Sequence, residues 1–172
     1  EKGVPEKWIE RMRNSMATLT AQFSANRTVR EYTEKCYLPA ASDFLNRAAE
    51  KGTKGKWIVD TKHFLHSKWN EIHFGEIKKE TIENGISFNA TIFFDDDIKD
   101  QISVELFADG IDNDQSEIIK MNLQSTSENK NEHIYHAELK TKRDSNDYTV
   151  RVIPCYQNIS VPIEDNLILW QH

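Results

Sequence analysis

At 172 residues and 20.0 kDa, with 38% hydrophobic residues, the chain can hold one ordinary domain, or a helical segment joined to a small β domain. A net charge of −6 and a pI near 5.5 exclude a sequence-independent nucleic-acid binder, which needs a basic stripe to neutralise phosphates. Apolar runs of about 18 residues are absent, so neither a transmembrane helix nor a secretory signal is expected.

The first stretch predicted is a helix opened by Val4-Pro5, since proline is tolerated in a first turn. Trp8, Met12, Met16 and Leu19 step by four, four and three and mark its expected buried side. Thr20-Ala21-Gln22 breaks the pattern. Ser24 then has the chemistry of an N-cap, its hydroxyl able to accept from the open amides of a first turn. Val29, Tyr32, Cys36 and Tyr37 follow at i, i+3, i+7 and i+8, an apolar stripe that needs a neighbour. Pro39 ends that helix or starts the next. Phe44, Leu45, Ala48 and Ala49 predict a further helix ending near Gly52. Gly55 leads into another, with Trp57, Thr61, Phe64, Leu65, Trp69 and Ile72 at helical spacing.

Near Ile72 the period changes to two. Ile86, Phe88, Ala90, Ile92 and Phe94 alternate after Asn84-Gly85, a hairpin turn signal. Strands are then expected at Ile102-Val104-Leu106, Ile119-Met121-Leu123, Tyr135-Ala137-Leu139, Tyr148-Val150-Val152 and Leu167 to Trp170. Turn-rich stretches separate them: Asp109-Gly110, Ser125 to Asn131, and Arg143 to Asp147. Six or seven short alternating strands predict an antiparallel β-sandwich, immunoglobulin-like. The expected fold class is therefore α+β, with a helical segment over 1–72 and the sandwich over 73–172.

Cys36 and Cys155 are too few and too far apart for a disulfide framework, so a reducing cytoplasm is expected. The Asn-x-Ser/Thr matches at Asn26, Asn89 and Asn158 are discounted as glycosylation sites, one of them lying within a predicted helix. The chain opens at Glu1 without a methionine, so truncation or processing is expected to have set its start.

Several side-chain groups could carry chemistry, and each has a plainer reading. His63 and His66 are three apart on a helix, with His73 nearby, but no further ligand is placed and no metal is expected. His133 and His136 belong to a strand, where a spacing of three puts them on opposite faces. Asp95, Asp96, Asp97 and Asp100, and again Asp109, Asp112 and Asp114, lack the spacing of a calcium loop and read as solvated loops. Nothing in the sequence supports serine or cysteine nucleophiles. Arg27 and Arg30 could grip phosphate, but tying their helix to a carboxylate or to backbone carbonyls is the favoured role. Trp57, Trp69 and Trp170 are candidate sugar-stacking residues, weighed against burial, which the apolar stripe shared by Trp57 and Trp69 favours.

The run Phe23-Ser24-Ala25-Asn26-Arg27-Thr28, continuing through Tyr32 to Pro39-Ala40-Ala41, resembles the C-terminal Phe-Ser-x-x-Arg-Thr helix of the glycogen and α-glucan phosphorylases. Trp8 to Met16 is similar to the segment that leads into it. The remainder resembles the all-β C-terminal extension of the bacterial short-form enzymes.

The resemblance implies a piece of a larger enzyme that converts α-1,4-glucan and phosphate reversibly to α-glucose 1-phosphate, with pyridoxal phosphate in the parent. The family's cofactor lysine lies in a segment like Gly-Thr-x-Asn-Met-Lys, which this chain lacks, so no catalytic residue is carried over and the chain alone is expected to be inactive. Phe23, Ser24, Arg27, Thr28 and Tyr32 are given structural roles. The implied partners are the upstream catalytic lobes of the same polypeptide, α-glucan, and further subunits of an oligomer, with no nucleic acid and no membrane. Two other expectations stand beside this one: a free-standing protein- or polysaccharide-binding module, and, more distantly, a paired-carboxylate hydrolase.

Overall fold

A computed structural model describes residues 3, 5–83, 85–111, 115–127, 131–156 and 159–171. Helix gives way to strand at Ile72, where the apolar period changes. Contacts divide the chain into two compact units, Glu1–Lys54 and Gly55–His172.

In the first unit, Pro5 precedes helix α1 (Glu6–Leu19), whose first turn carries Glu6 near the positive end of the helix dipole. Val4, predicted to help open it, lies outside the described residues. Helix α2 (Ala25–Tyr32) is capped by Ser24, whose hydroxyl accepts from the Arg27 N–H at 3.3 Å. A π-helical turn (Thr33–Tyr37) joins it to α3 (Leu38–Lys68). There the Leu38 N–H reaches back five residues to the Thr33 carbonyl. Pro39 falls in the first turn of α3, where a missing N–H costs least.

Helix α3 is broken inside its length. Ala49 is extended, and Glu50, Lys51 and Gly52 have φ of 52°, 59° and 79°. The glycine takes this left-handed geometry freely, while the two side-chain-bearing residues are strained in it.

No described residue of 1–54 is buried. The Trp8, Met12, Met16 and Leu19 stripe, expected on a buried side, lies exposed, with Trp8 at 61%. The stripe was readable from spacing; what covers it was not, because a face is a property of one helix and a neighbour is not.

The second unit holds the C-terminal part of α3, a 3₁₀ turn at Trp69–Glu71 and eight strands: β1 (His73–Ile82), β2 (Gly85–Phe93), β3 (Ile102–Ala108), β4 (Glu117–Lys120), β5 (Asn122–Thr126), β6 (Glu132–Leu139), β7 (Thr149–Pro154) and β8 (Leu169–Trp170). They form two antiparallel four-stranded sheets, ordered β1-β2-β6-β5 and β4-β3-β7-β8. Phe88 and Ile92 from the first sheet and Val104, Leu106, Val150 and Val152 from the second enter one buried cluster, which Leu65, Trp69 and Ile72 also join. Each such side chain, fully buried, contributes about 1.5–3 kcal/mol. The Phe88 and Tyr148 rings meet edge-on at 6.0 Å.

The strand expected over Ile119-Met121-Leu123 is two strands in different sheets. Met121, 1% exposed, is the sole residue between them, and its N–H bonds to the Val104 carbonyl at 2.9 Å. Strand β1 was not distinguished as a strand in the sequence. It is an edge strand with little buried, so it has no apolar alternation to read. At the β1–β2 hairpin, Asn84 lies outside the described residues, but Ile82 pairs with Gly85 as the turn signal predicts. Any Cβ at Gly85 would run into the Leu139 carbonyl oxygen.

Candidate functional site

The five motif residues occupy the start and outer turns of α2. Phe23 is 74% exposed and Tyr32 stacks on Tyr37 at 6.3 Å. The Thr28 hydroxyl donates to the Ser24 carbonyl at 3.2 Å. Arg27 Nε donates to Glu31 Oε1 at 2.8 Å, an i,i+4 pair in which both side chains are partly exposed. Such a pair adds only about 0.3–0.5 kcal/mol. Arg27 thus engages a carboxylate within its own helix, while Arg30 is exposed on the same helix. With Val29 and Tyr37 also exposed, the helix presents an apolar stripe that nothing in its unit buries.

The three tryptophans have three different settings. Trp69 is buried in the core. Trp57 is exposed, its ring edge-on to Tyr156 at 6.4 Å. Trp170 is half-buried on the outer face of the second sheet, 5.3 Å from Phe107 with the rings at 74°. Beside it Arg151 forks onto Glu105, with Nε and Nη2 both reaching Oε2, at 3.1 and 2.9 Å. The sequence named Trp170 but not Phe107, Arg151 or Glu105. Cross-strand register brings these together, and no local spacing announces it.

A second polar cluster fastens α3 to the segment after β7. Asp165 is buried and accepts from the Tyr156 hydroxyl at 3.0 Å, and His66 Nε2 lies 2.9 Å from its other oxygen. Lys62 Nζ donates to the Glu164 carbonyl at 2.6 Å. Burial, with the Asp165 contact adding to it, pushes the Tyr156 hydroxyl well above the ordinary tyrosine range. His66 and Lys62 lie 99 and 102 residues from the partners they hold, so only the fold reveals those contacts.

His66 is thus committed to a carboxylate. His73 sits against the Glu71 carbonyl at 3.1 Å and stacks on Phe93, while His63 is exposed. His133 is buried against Phe94, and His136 on the opposite face meets Asn89. Among the described residues no group of three or more His, Cys, Asp or Glu side chains could hold a metal ion.

Asp95 caps a 3₁₀ turn and pairs with Lys68 at 3.3 Å; its carboxyl is held low by the Asp97 N–H and then by that lysine. Asp112, Asp114 and Asn158 lie outside the described residues. Cys36 and Cys155 are exposed thiols. Lys62, Lys68 and Lys79 are engaged with carbonyls and carboxylates, and among the described residues no lysine stands in a glycine-rich cradle of the kind pyridoxal phosphate requires, so the residues described do not fit that group. An open groove of about 910 Å³ runs past Gly85, Lys140, Lys142 and Arg143, but Arg143 is turned to Glu117 and Asp147. Among the described residues no helix is long and apolar enough to cross a membrane.

The model of a protein family described as "Glycogen phosphorylase C-terminal domain" matches residues 69–172. The chain is also similar to the glycogen phosphorylases of Mycobacterium tuberculosis (strains CDC 1551 / Oshkosh and ATCC 25618 / H37Rv) and Mycobacterium bovis. Each is 31% identical over 77 residues, covering 45% of this chain and 9% of the relative. The chain therefore spans only a small fraction of the length of those relatives. No solved structure matches it significantly.

Proposed function

As the chain belongs to the glycogen phosphorylase C-terminal domain family, we infer that it is the non-catalytic C-terminal part of an α-glucan phosphorylase. The longer polypeptide would carry the pyridoxal phosphate and the reversible phosphorolysis of α-1,4-glucan to α-glucose 1-phosphate. Unit 1–54 would lie against its catalytic lobes and brace them, in the cytoplasm.

One observation carries this reading. None of the described residues of 1–54 is buried, although α1 and α2 display Trp8, Met12, Met16, Val29 and Tyr32. Short helices hold in water mainly by packing an apolar face, so this unit needs a large partner surface. The strand order also supports the immunoglobulin-like reading: β1-β2-β6-β5 against β3-β7-β8 follows the ABED and CFG order, with β4 added beside β3.

The test places Val29→Asp and Tyr32→Asp, separately, in the long polypeptide and in the 172-residue chain. A charge forced into a buried contact should lower the Tm of the long polypeptide by at least about 3 °C. The short chain, where both positions are exposed, should not change. Equal response in the two would reject docking. The competing reading is a free-standing binding module, favoured by the separate core of 55–172. A single native species of 20.0 kDa in source cells, seen with an antibody to this chain, would support it instead.

A further inference from the structure

The outer face of the second sheet carries a row of side chains that its core does not require. Lys120, Glu105, Arg151 and Trp170 stand directly opposite one another on β4, β3, β7 and β8. Phe107, two residues along β3 from Glu105, lies on the same face. The Arg151 guanidinium is 4.6 Å from the Phe107 ring centre and 5.3 Å from that of Trp170. The Arg151 and Glu105 side chains are only 12% and 13% exposed, so the pair is held rigidly between rings and backbone.

Three features of this row select a ligand. The aromatic rings are half-buried rather than enclosed, so part of their surface is open to C–H groups. Both bonds from Arg151 end on Glu105 Oε2, which leaves Oε1 and Nη1 for hydroxyl groups. Glu105 cancels the charge of Arg151 beside the rings, and Lys120, on β4, stands across Glu105 from Trp170. Cancelled charge next to an aromatic surface disfavours a free anion and suits a neutral polyhydroxyl ligand. The fixed fork also loses little freedom on binding.

We propose that Trp170, Phe107, Arg151 and Glu105 form a glucan-binding platform that holds an α-1,4-glucan chain against the second sheet. The choice of α-1,4-glucan within the neutral polyols rests on the phosphorylase reading above. Sugar rings lie on Trp170 and Phe107, and their hydroxyls bond to Glu105 and Arg151.

The test titrates the ¹⁵N-labelled 172-residue chain with maltoheptaose and follows the indole N–H signals. A saturable shift at Trp170, with the buried Trp69 unmoved, is expected. In native gels containing glycogen, Trp170→Ala and Phe107→Ala should each weaken retention at least about tenfold, with Tm checked for both; should either fail to fold, the titration of the unaltered chain decides. No shift at Trp170 and no retention, or tighter binding of glucose 1-phosphate than of maltoheptaose, overturns the platform. Phosphorolysis by the unaltered long polypeptide is assayed separately. Phosphorolysis without retention leaves the phosphorylase reading standing and removes the platform. Retention without phosphorolysis does the reverse.

Discussion

Asp165 shows how one side chain can matter more than a motif. It is a buried carboxylate with one partner nine residues away and another 99 residues away, and removing it strands the Tyr156 hydroxyl in the interior. An orphaned buried polar group costs about 1–3 kcal/mol, so Asp165→Ala should lower the free energy of unfolding by that amount or more, as urea denaturation would read. Tyr156→Phe, which leaves Asp165 Oδ2 buried without that donor, should cost a comparable amount.

The same interior sets an alkaline limit. Tyr135 is pushed up to about 12 by burial, helped by Asp100 and Asp96; Tyr148 and Tyr156 are also raised, mainly by burial. A tyrosine whose folded pKa exceeds its unfolded value contributes stability that is complete below the unfolded value, near 10.0, and is lost as pH rises through the folded one. The urea midpoint should therefore hold up to about pH 9 and fall above about pH 10. Absorbance near 295 nm should show the tyrosinates of Tyr135, Tyr148 and Tyr156 appearing together with unfolding rather than before it.

At the level of elements, the sequence was informative wherever an element is half-buried and poor wherever it is not. Strands β2, β3, β6 and β7 alternate because one face meets the core and the other meets solvent, so their positions could be read directly. Ser24 was legible as a cap because capping is local chemistry. The separate strands β4 and β5 were hidden, since Ile119, Met121 and Leu123 alternate without a break across a change of sheet. For the same reason Trp170 was nameable and its neighbours were not: register between strands is written in the pairing, not in any one strand. Gly85 is the sharpest test at this scale. Gly85→Ala must push β2 away from Leu139 on β6, and a cost of about 1–3 kcal/mol is expected from such overpacking, measurable as a lowered Tm.

The whole chain combines one unit with its own core and one without. Residues 55–172 should unfold cooperatively when expressed alone, because the buried cluster lies entirely within them. A peptide of residues 1–54 should show weak helical circular dichroism and bind a hydrophobic dye, since its apolar stripes are uncovered. Weak helicity for 1–54 beside a sharp transition for 55–172 is the expected pair of results; a cooperative transition in the peptide would contradict the exposure of its stripes.

Met121 has a consequence for how this fold could change length over time. With only that residue between a strand of one sheet and a strand of the other, an inserted residue there must displace the buried Met121 or slip one of the two registers, and a one-residue slip turns a strand's apolar side outward. The turn after β3 has no such constraint, since Asp109 and Gly110 are exposed and unpaired in either sheet. A single glycine inserted after Met121 should abolish cooperative folding, while the same insertion after Gly110 should pass almost unnoticed. Lineages carrying this fold should vary in length at the second place and hold it constant at the first.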